Sequence, residues 1–236
     1  MPLSAPLPAA APPDLPCYSL PVNDWWCPAY LHDRQDLLIA ATKEHAQITV
    51  LSVLLGLLIA LPLSLLARRL APIESLILGG STIIYTIPSL ALFPLLVPFT
   101  GISKTTVVIG LALYTLTILV RNTLAGLRAV PDEVRESAAG MGYGSTRLLI
   151  KVELPLALPV IMAGLRVATV STVALTTIGS IVAYGGLGNL LAEGVRQNFK
   201  AQILAASLLC VLLALVLDLV LLALQRVMTP WTWRRG

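Results

Sequence analysis

Residues Arg128–Pro159 read RAVPDEVRESAAGMGYGSTRLLIKVELPLALP and form the polar interruption of an otherwise apolar chain. The stretch holds the acids Asp132, Glu133, Glu136 and Glu153. Its bases are Arg128, Arg135, Arg147 and Lys151, with Arg121 just upstream. Apolar runs long enough to cross a bilayer lie on both sides. An ion in hydrocarbon costs roughly 2.5–3.5 kcal/mol or more, so a segment this charged must face water or a partner. It also carries signs of order. Pro131 stands at a helix start, and Asp132 and Glu133 fall in the first turn, where the positive end of the helix dipole favours them. Gly140, Gly142 and Gly144 end that helix, and Lys151 to Pro155 lead into the next apolar run.

The composition sets the class. Of 236 residues, 57% are hydrophobic and 12% charged, with a mean hydropathy of +0.86. A soluble domain carries about 25% charge, so the sequence predicts an all-α integral membrane protein. The net charge of +4 comes from scattered bases at helix ends, which excludes a nucleic-acid footprint. Five spans are expected. The first is Ile48–Ala67, stopped by Arg68 and Arg69. The second starts after Glu74 and kinks at the prolines Pro88, Pro94 and Pro98, helical to about Leu96 and irregular beyond. The third is a short span from Thr105 to about Val120. The fourth runs from about Leu156 to Ala183, and the fifth from about Ala201 to Leu224. With the N-terminus outside, eleven of the bases fall on inner segments and five on outer ones, as the positive-inside rule requires. The polar stretch is then cytoplasmic, as is the C-terminus.

Before the first span, residues 1–32 form a Pro-rich extracytoplasmic segment without the pattern of a signal peptide. Trp25 and Trp26 suit a membrane interface. Asp33 to Gln47 reads as a short amphipathic helix lying on the outer surface. Cys17 and Cys27 lie where disulfides persist, so a bridge between them is open. Cys210 reads as a small buried hydrophobe. Residues 33–228 form the membrane-spanning domain, with a cytoplasmic loop at about 128–155, and 229–236 a cytoplasmic tail.

Several chemistries are excluded. No Gly-Lys pair occurs, so there is no phosphate-binding loop of the GxxxxGK[ST] kind. His32 and His45, far apart and without a ligand cluster, read as ordinary surface histidines, and no metal site is expected. Asp218 is the acid well inside a span. It reads either as an ion site or as a carboxylate satisfied by a basic neighbour. In Tyr85-Thr86-Ile87-Pro88-Ser89 the proline frees a carbonyl that Thr86 and Ser89 can satisfy. Tyr85, Thr86, Pro88 and Ser89 are candidates for lining a pathway, or for a packing kink away from one.

The spacing of the polar stretch resembles the EAA loop of binding-protein-dependent ABC transporter permeases. That pattern is Glu-Ala-Ala, three residues, Gly, nine residues, Ile-x-Leu-Pro. The matching positions are Glu136, Ser137, Ala138, Gly142, Val152, Leu154 and Pro155, with Ser137 for Ala and Val152 for Ile. Thr86–Ala91, Arg121–Thr123, Gly140–Gly142, Val152–Arg166 and Gly185–Gly188 further resemble the osmoprotectant permeases, over about residues 33–228. The resemblance implies a type I ABC importer (MetI-like) permease fold in a prokaryotic plasma membrane. It also implies a loop docking into a cytoplasmic ABC ATPase, with Glu136 facing a base of that subunit. A second permease subunit, identical or paralogous, and an extracytoplasmic solute-binding protein complete the implied machine. The chain itself is then no enzyme and holds no cofactor, because ATP is bound and hydrolysed by the partner. The implied cargo is glycine betaine, choline, carnitine or a related quaternary amine. Rival readings are another small amine, amino acid or sulfonate as cargo, or an ion-coupled carrier working through Asp218.

Overall fold

The computed structural model describes residues 15–231. Residues 1–14 of the Pro-rich segment, and residues 232–236 of the tail with Arg234 and Arg235, lie outside the described residues. Every regular element described is helical. Four helical runs are long and apolar enough to cross a membrane: α2 (Gln35–Arg69), α5 (Lys104–Arg128), a run over Ser145–Val182, and α10 (Lys200–Met228). A bent pair, α3 (Ala71–Thr86) and α4 (Ser89–Thr100), makes the fifth membrane element. The chain is a multi-pass membrane protein.

Helix α2 corrects the expected surface helix. Asp33–Gln47 does not lie apart from the first span. From Gln35 onward it is continuous with it in one helix of 35 residues, about 52 Å long at 1.5 Å per residue. The cause is tertiary. Leu38 and Ala41 are buried against Leu187, Leu190, Ala201 and Ala205 rather than in a membrane surface. His45 is likewise no surface residue. It is 0% exposed, with Nδ1 3.2 Å from the carbonyl of Gly185 and Nε2 3.0 Å from that of Val173.

A small cap closes the same end. Cys17 and Cys27 are joined as a disulfide ahead of α1 (Pro28–Asp33). The Asn23 side chain donates to the Asn198 carbonyl at 2.7 Å and accepts from the Lys200 amide at 3.0 Å. It thereby ties the cap to the start of α10. Tyr30 packs edge-on against Tyr18 and Phe199, and its hydroxyl reaches Gln202 at 3.2 Å. Tyr18 donates to Asp33 at 2.9 Å, which holds that carboxyl below its usual range.

The break between α3 and α4 turns the chain by 102°. Ile87, preceding a proline, is extended at φ −67°, ψ 124°. The kink expected at Pro88 is therefore a sharp bend at Ile87–Pro88. Past Leu96, where irregular chain was expected, the helix continues to Thr100 despite Pro94 and Pro98. The Ile87 carbonyl accepts from the Tyr114 hydroxyl of α5. Thr86 instead bonds the Ile83 carbonyl at 2.7 Å.

Helix α5 is the axis of the fold. It runs past the expected end at Val120 to Arg128, because Thr123, Leu124 and Leu127 are buried where a loop was expected. Val120, Leu119 and Leu116 pack with Val53, Ala60 and Ala67 of α2. Met162, Leu165 and Ala168 close the cluster from α8 (Leu154–Thr176). Small residues set the α5–α8 crossing. A Cβ on Gly126 would sit 2.9 Å from the Ala157 carbonyl oxygen, and one on Gly164 would overlap Asn122. Backbones approach this closely only where side chains are absent, which suits packing between helices in lipid.

Candidate functional site

The polar stretch forms a protruding structure at the end of the bundle opposite the disulfide. Helix α6 (Asp132–Gly140) follows α5 after a three-residue link. Pro131 is its N-cap, and Asp132 and Glu133 fill the first turn. Nine residues give a rod of about 13 Å. Its end is built by Gly142, which has φ +83°. Amides of Gly142 and Tyr143 bond the carbonyls of Ala139 and Ala138 at 2.9 and 3.2 Å. A left-handed residue here satisfies the last carbonyls of the helix, and glycine takes that conformation without a Cβ penalty.

The helical period divides α6 into two faces. Ala138, 1% exposed, and half-buried Arg135 turn toward the bundle. Glu133, Glu136, Ser137 and Gly140 are exposed. Glu136 takes no hydrogen bond or ion pair among the described residues. After Gly144 the chain enters α7 (Ser145–Leu148), then one π-helical turn over Leu149–Glu153, and then α8. Val152, Leu154 and Pro155 are half-buried, and Leu154 packs against the cluster of Leu127, Ala157 and Ile161. The motif positions are thus split between two neighbouring elements. Glu136, Ser137, Ala138 and Gly142 shape the rod, while Val152, Leu154 and Pro155 seat its continuation into α8. Arg147 lies over the Tyr143 ring at 4.6 Å.

The residue that sequence reading missed is Glu153. It is 1% exposed and carries a charge at the membrane end of the loop. Arg68, at the end of α2, binds both of its oxygens. Arg135 of α6 donates Nε to the same carboxylate at 2.9 Å. The other two nitrogens of that guanidinium reach Asp132 at 2.5 Å and the Leu127 carbonyl, at the end of α5, at 2.6 Å. One buried carboxylate therefore joins the ends of α2 and α8 with α6, and Arg135 extends the link to α5. The signal in the sequence was an acid two residues before Pro155, with two arginines elsewhere to satisfy it.

The second candidate region is the α3–α4 bend. Tyr85, Thr86 and Pro88 are exposed and Ser89 half-buried, and Tyr85 meets Tyr114 edge-on at 5.7 Å. A ladder of polar contacts joins α3 to α5 below the bend. Thr117 donates to the Ser81 carbonyl at 2.6 Å, Arg121 to Thr82 at 2.8 Å, and Arg128 pairs with Glu74. Asp218 lies apart from both regions. Arg166 of α8 grips it in a two-pronged ion pair at 2.8 and 2.7 Å. The pair opens on a cleft of about 540 Å³ beside Val167, Val170, Ser171 and Leu215. Among the described residues no group of three or more His, Cys, Asp or Glu could hold a metal ion.

Residues 52–234 match the family described as the binding-protein-dependent transport system inner membrane component. The choline transport system permease protein of Bacillus subtilis is 36% identical over 66% of this chain and 72% of its own length. The carnitine transport permease of Listeria monocytogenes is 34% identical over 63% and 68%. The osmoprotectant import permease of Salmonella typhimurium is 37% identical over 66% and 75%. Among solved structures, the inward-facing MetNI methionine ABC transporter superposes with a TM-score of 0.73 at 21% identity, covering 84% of this chain and 98% of that one. That likeness speaks for the fold, a MetI-type importer permease.

Proposed function

From a chain that belongs to the binding-protein-dependent transport system inner membrane components, we propose an importer subunit whose cargo is an osmoprotectant of the quaternary-amine class. Glycine betaine, choline and carnitine are the candidates. Its relatives support that cargo, since their names specify choline, carnitine and osmoprotectants. The chain forms part of the pathway wall and leaves ATP hydrolysis to a cytoplasmic ABC ATPase. An extracytoplasmic binding protein delivers the solute. A second permease, identical or paralogous, completes the wall. Two different permeases of the choline system of Bacillus subtilis are both similar to this chain, which suits a paralogous pair.

The observation that carries this reading is the exposed face of α6. A short rigid helix stands off the bundle with Glu136 outward and without a partner in the described residues. A carboxylate so presented is ready to pair with a base in a partner groove, and removing one member of such a pair costs roughly 2–5 kcal/mol. This end of the bundle, with Arg68, Arg69, Arg128, Arg147 and Lys151, faces the cytoplasm of a prokaryote, and the disulfide cap faces outside. Solute passes along the exposed side of the α3–α4 bend, by Tyr85, Thr86, Pro88 and Ser89. The rival reading, an ion-coupled carrier, would need Asp218 free to exchange a cation, whereas Arg166 occupies both its oxygens.

The test is Glu136→Lys and Gly142→Asp in the complex purified with its ATPase. Both variants insert into the membrane, release or uncouple the ATPase, and lose uptake. Full uptake by either would make the loop a passive connector.

A further inference from the structure

We propose that Arg135, acting through the buried Glu153, is the positioning residue that turns displacement of α6 into movement of the membrane helices; this rests on α6 being the ATPase-docking rod. Little else attaches the rod. Its face toward the bundle is Ala138, a small side chain that lets α6 slide, and Arg135, which does not. The guanidinium is fixed on three sides. It touches Glu153 at 2.9 Å, the Leu127 carbonyl at 2.6 Å and Asp132 at 2.5 Å. Asp132 belongs to α6 itself, so the side chain is braced to its own rod before it reaches the bundle. Glu153 is in turn gripped by Arg68. A planar, braced guanidinium with a fork of donors transmits direction as well as force, which a flexible ammonium does not.

The position of Glu153 gives the link its reach. It is the last residue of the π-helical turn, directly ahead of Leu154 and Pro155 at the start of α8. The π turn sits where Pro155 lacks the amide that would bond the previous turn. Such a turn is a local irregularity of the kind found at functional hinges. A pull on Arg135 therefore acts at the foot of α8 and, through Arg68, at the foot of α2. The Leu127 contact adds the foot of α5. Three spans thus share one charged knot under the rod.

The experiment uses the full permease–ATPase complex in proteoliposomes with its binding protein. Glu153→Gln would leave Arg68 and Arg135 facing each other without a carboxylate and is open to misfolding, so the informative variants are Arg135→Gln and Arg68→Gln. Each leaves Glu153 with one arginine. Both are expected to co-purify the ATPase and to keep its basal rate. Both should also lose stimulation of that rate by loaded binding protein, with uptake falling about tenfold or more. Arg135→Lys should restore part of the charge contact and part of the stimulation. Normal uptake and stimulation in Arg135→Gln, alongside failure of Glu136→Lys, would overturn this proposal and leave the docking reading standing. Loss of the ATPase from purified Arg135→Gln would overturn it too, because Arg135 would then merely hold α6 in shape. A harmless Glu136→Lys would instead remove the docking reading beneath it.

Discussion

Asp218→Asn is the perturbation that most cleanly separates a structural ion pair from an ion-carrying site. Arg166 holds Asp218 with contacts of 2.8 and 2.7 Å, which puts the charge centres about 4 Å apart, an attraction of about 4 kcal/mol at an effective dielectric of about 20. Both side chains keep about a quarter of their surface exposed, 28% and 27%, so screening reduces the loss to roughly half, about 2 kcal/mol. Asp218→Asn leaves Arg166 charged and unpaired at the side of a span, and Arg166→Gln does the same to Asp218. Removing both charges takes away the desolvation cost along with the attraction. Arg166→Gln with Asp218→Asn should therefore return to within about 1 kcal/mol of the parent. In thermal unfolding of the detergent-purified complex, each single change should lower the midpoint by about 4–8 °C, and the double change should recover most of it. The folded double variant should retain ATP-driven uptake. If the two single effects simply add, the pair is not coupled and this explanation of Asp218 fails. If the folded double variant hydrolyses ATP normally but transports nothing, the acid has a role in transport that the pairing does not explain.

Two further outcomes concern the opposite end of the bundle. Protein extracted without reductant should show one free thiol under denaturation, Cys210, of its three cysteines; changing Cys17 and Cys27 to Ser should cost about 2–3 kcal/mol from loop closure alone, read as earlier unfolding, and three free thiols would deny the bridge. Gly186 has φ +54°, and a Cβ there would lie 2.6 Å from the His45 amide nitrogen. Because the His45 ring is held between the Gly185 and Val173 carbonyls, the neighbour cannot retreat. Gly186→Ala should destabilise by about 3 kcal/mol, combining left-handed strain with overpacking, and an unchanged yield of folded protein would refute the tightness of that contact.

The parts of the molecule legible in the sequence were those decided locally or by length. Apolar runs placed five membrane elements, and the spacing from Glu136 through Gly142 to Pro155 located a helix, its glycine stop and the entry to α8. The features that stayed hidden depend on distant partners. Asp33–Gln47 alternates well enough for a surface helix, yet Leu38, Ala41 and His45 find α9 (Leu187–Gln197), α10 and the Val173–Gly185 region, and the helix runs on into the span. Arg121 looks like the end of a span, but its guanidinium donates a hydrogen bond to the Thr82 hydroxyl of α3 and α5 continues. Pro88 announced a bend, while nothing local announced that Tyr114 would satisfy Ile87. Glu153 read as one more loop charge. Its burial becomes visible only when Arg68, 85 residues away, and Arg135 are brought beside it.

Whether this permease works as the membrane subunit of an ATP-driven osmoprotectant importer is decided by uptake of labelled glycine betaine or choline into proteoliposomes. They contain this chain, its partner permease and the ATPase, with loaded binding protein outside. Uptake is expected when ATP is trapped inside, none with a non-hydrolysable analogue, and no loss when ionophores collapse the ion gradients. Uptake that persists without ATP and disappears with the ion gradient would contradict the importer reading.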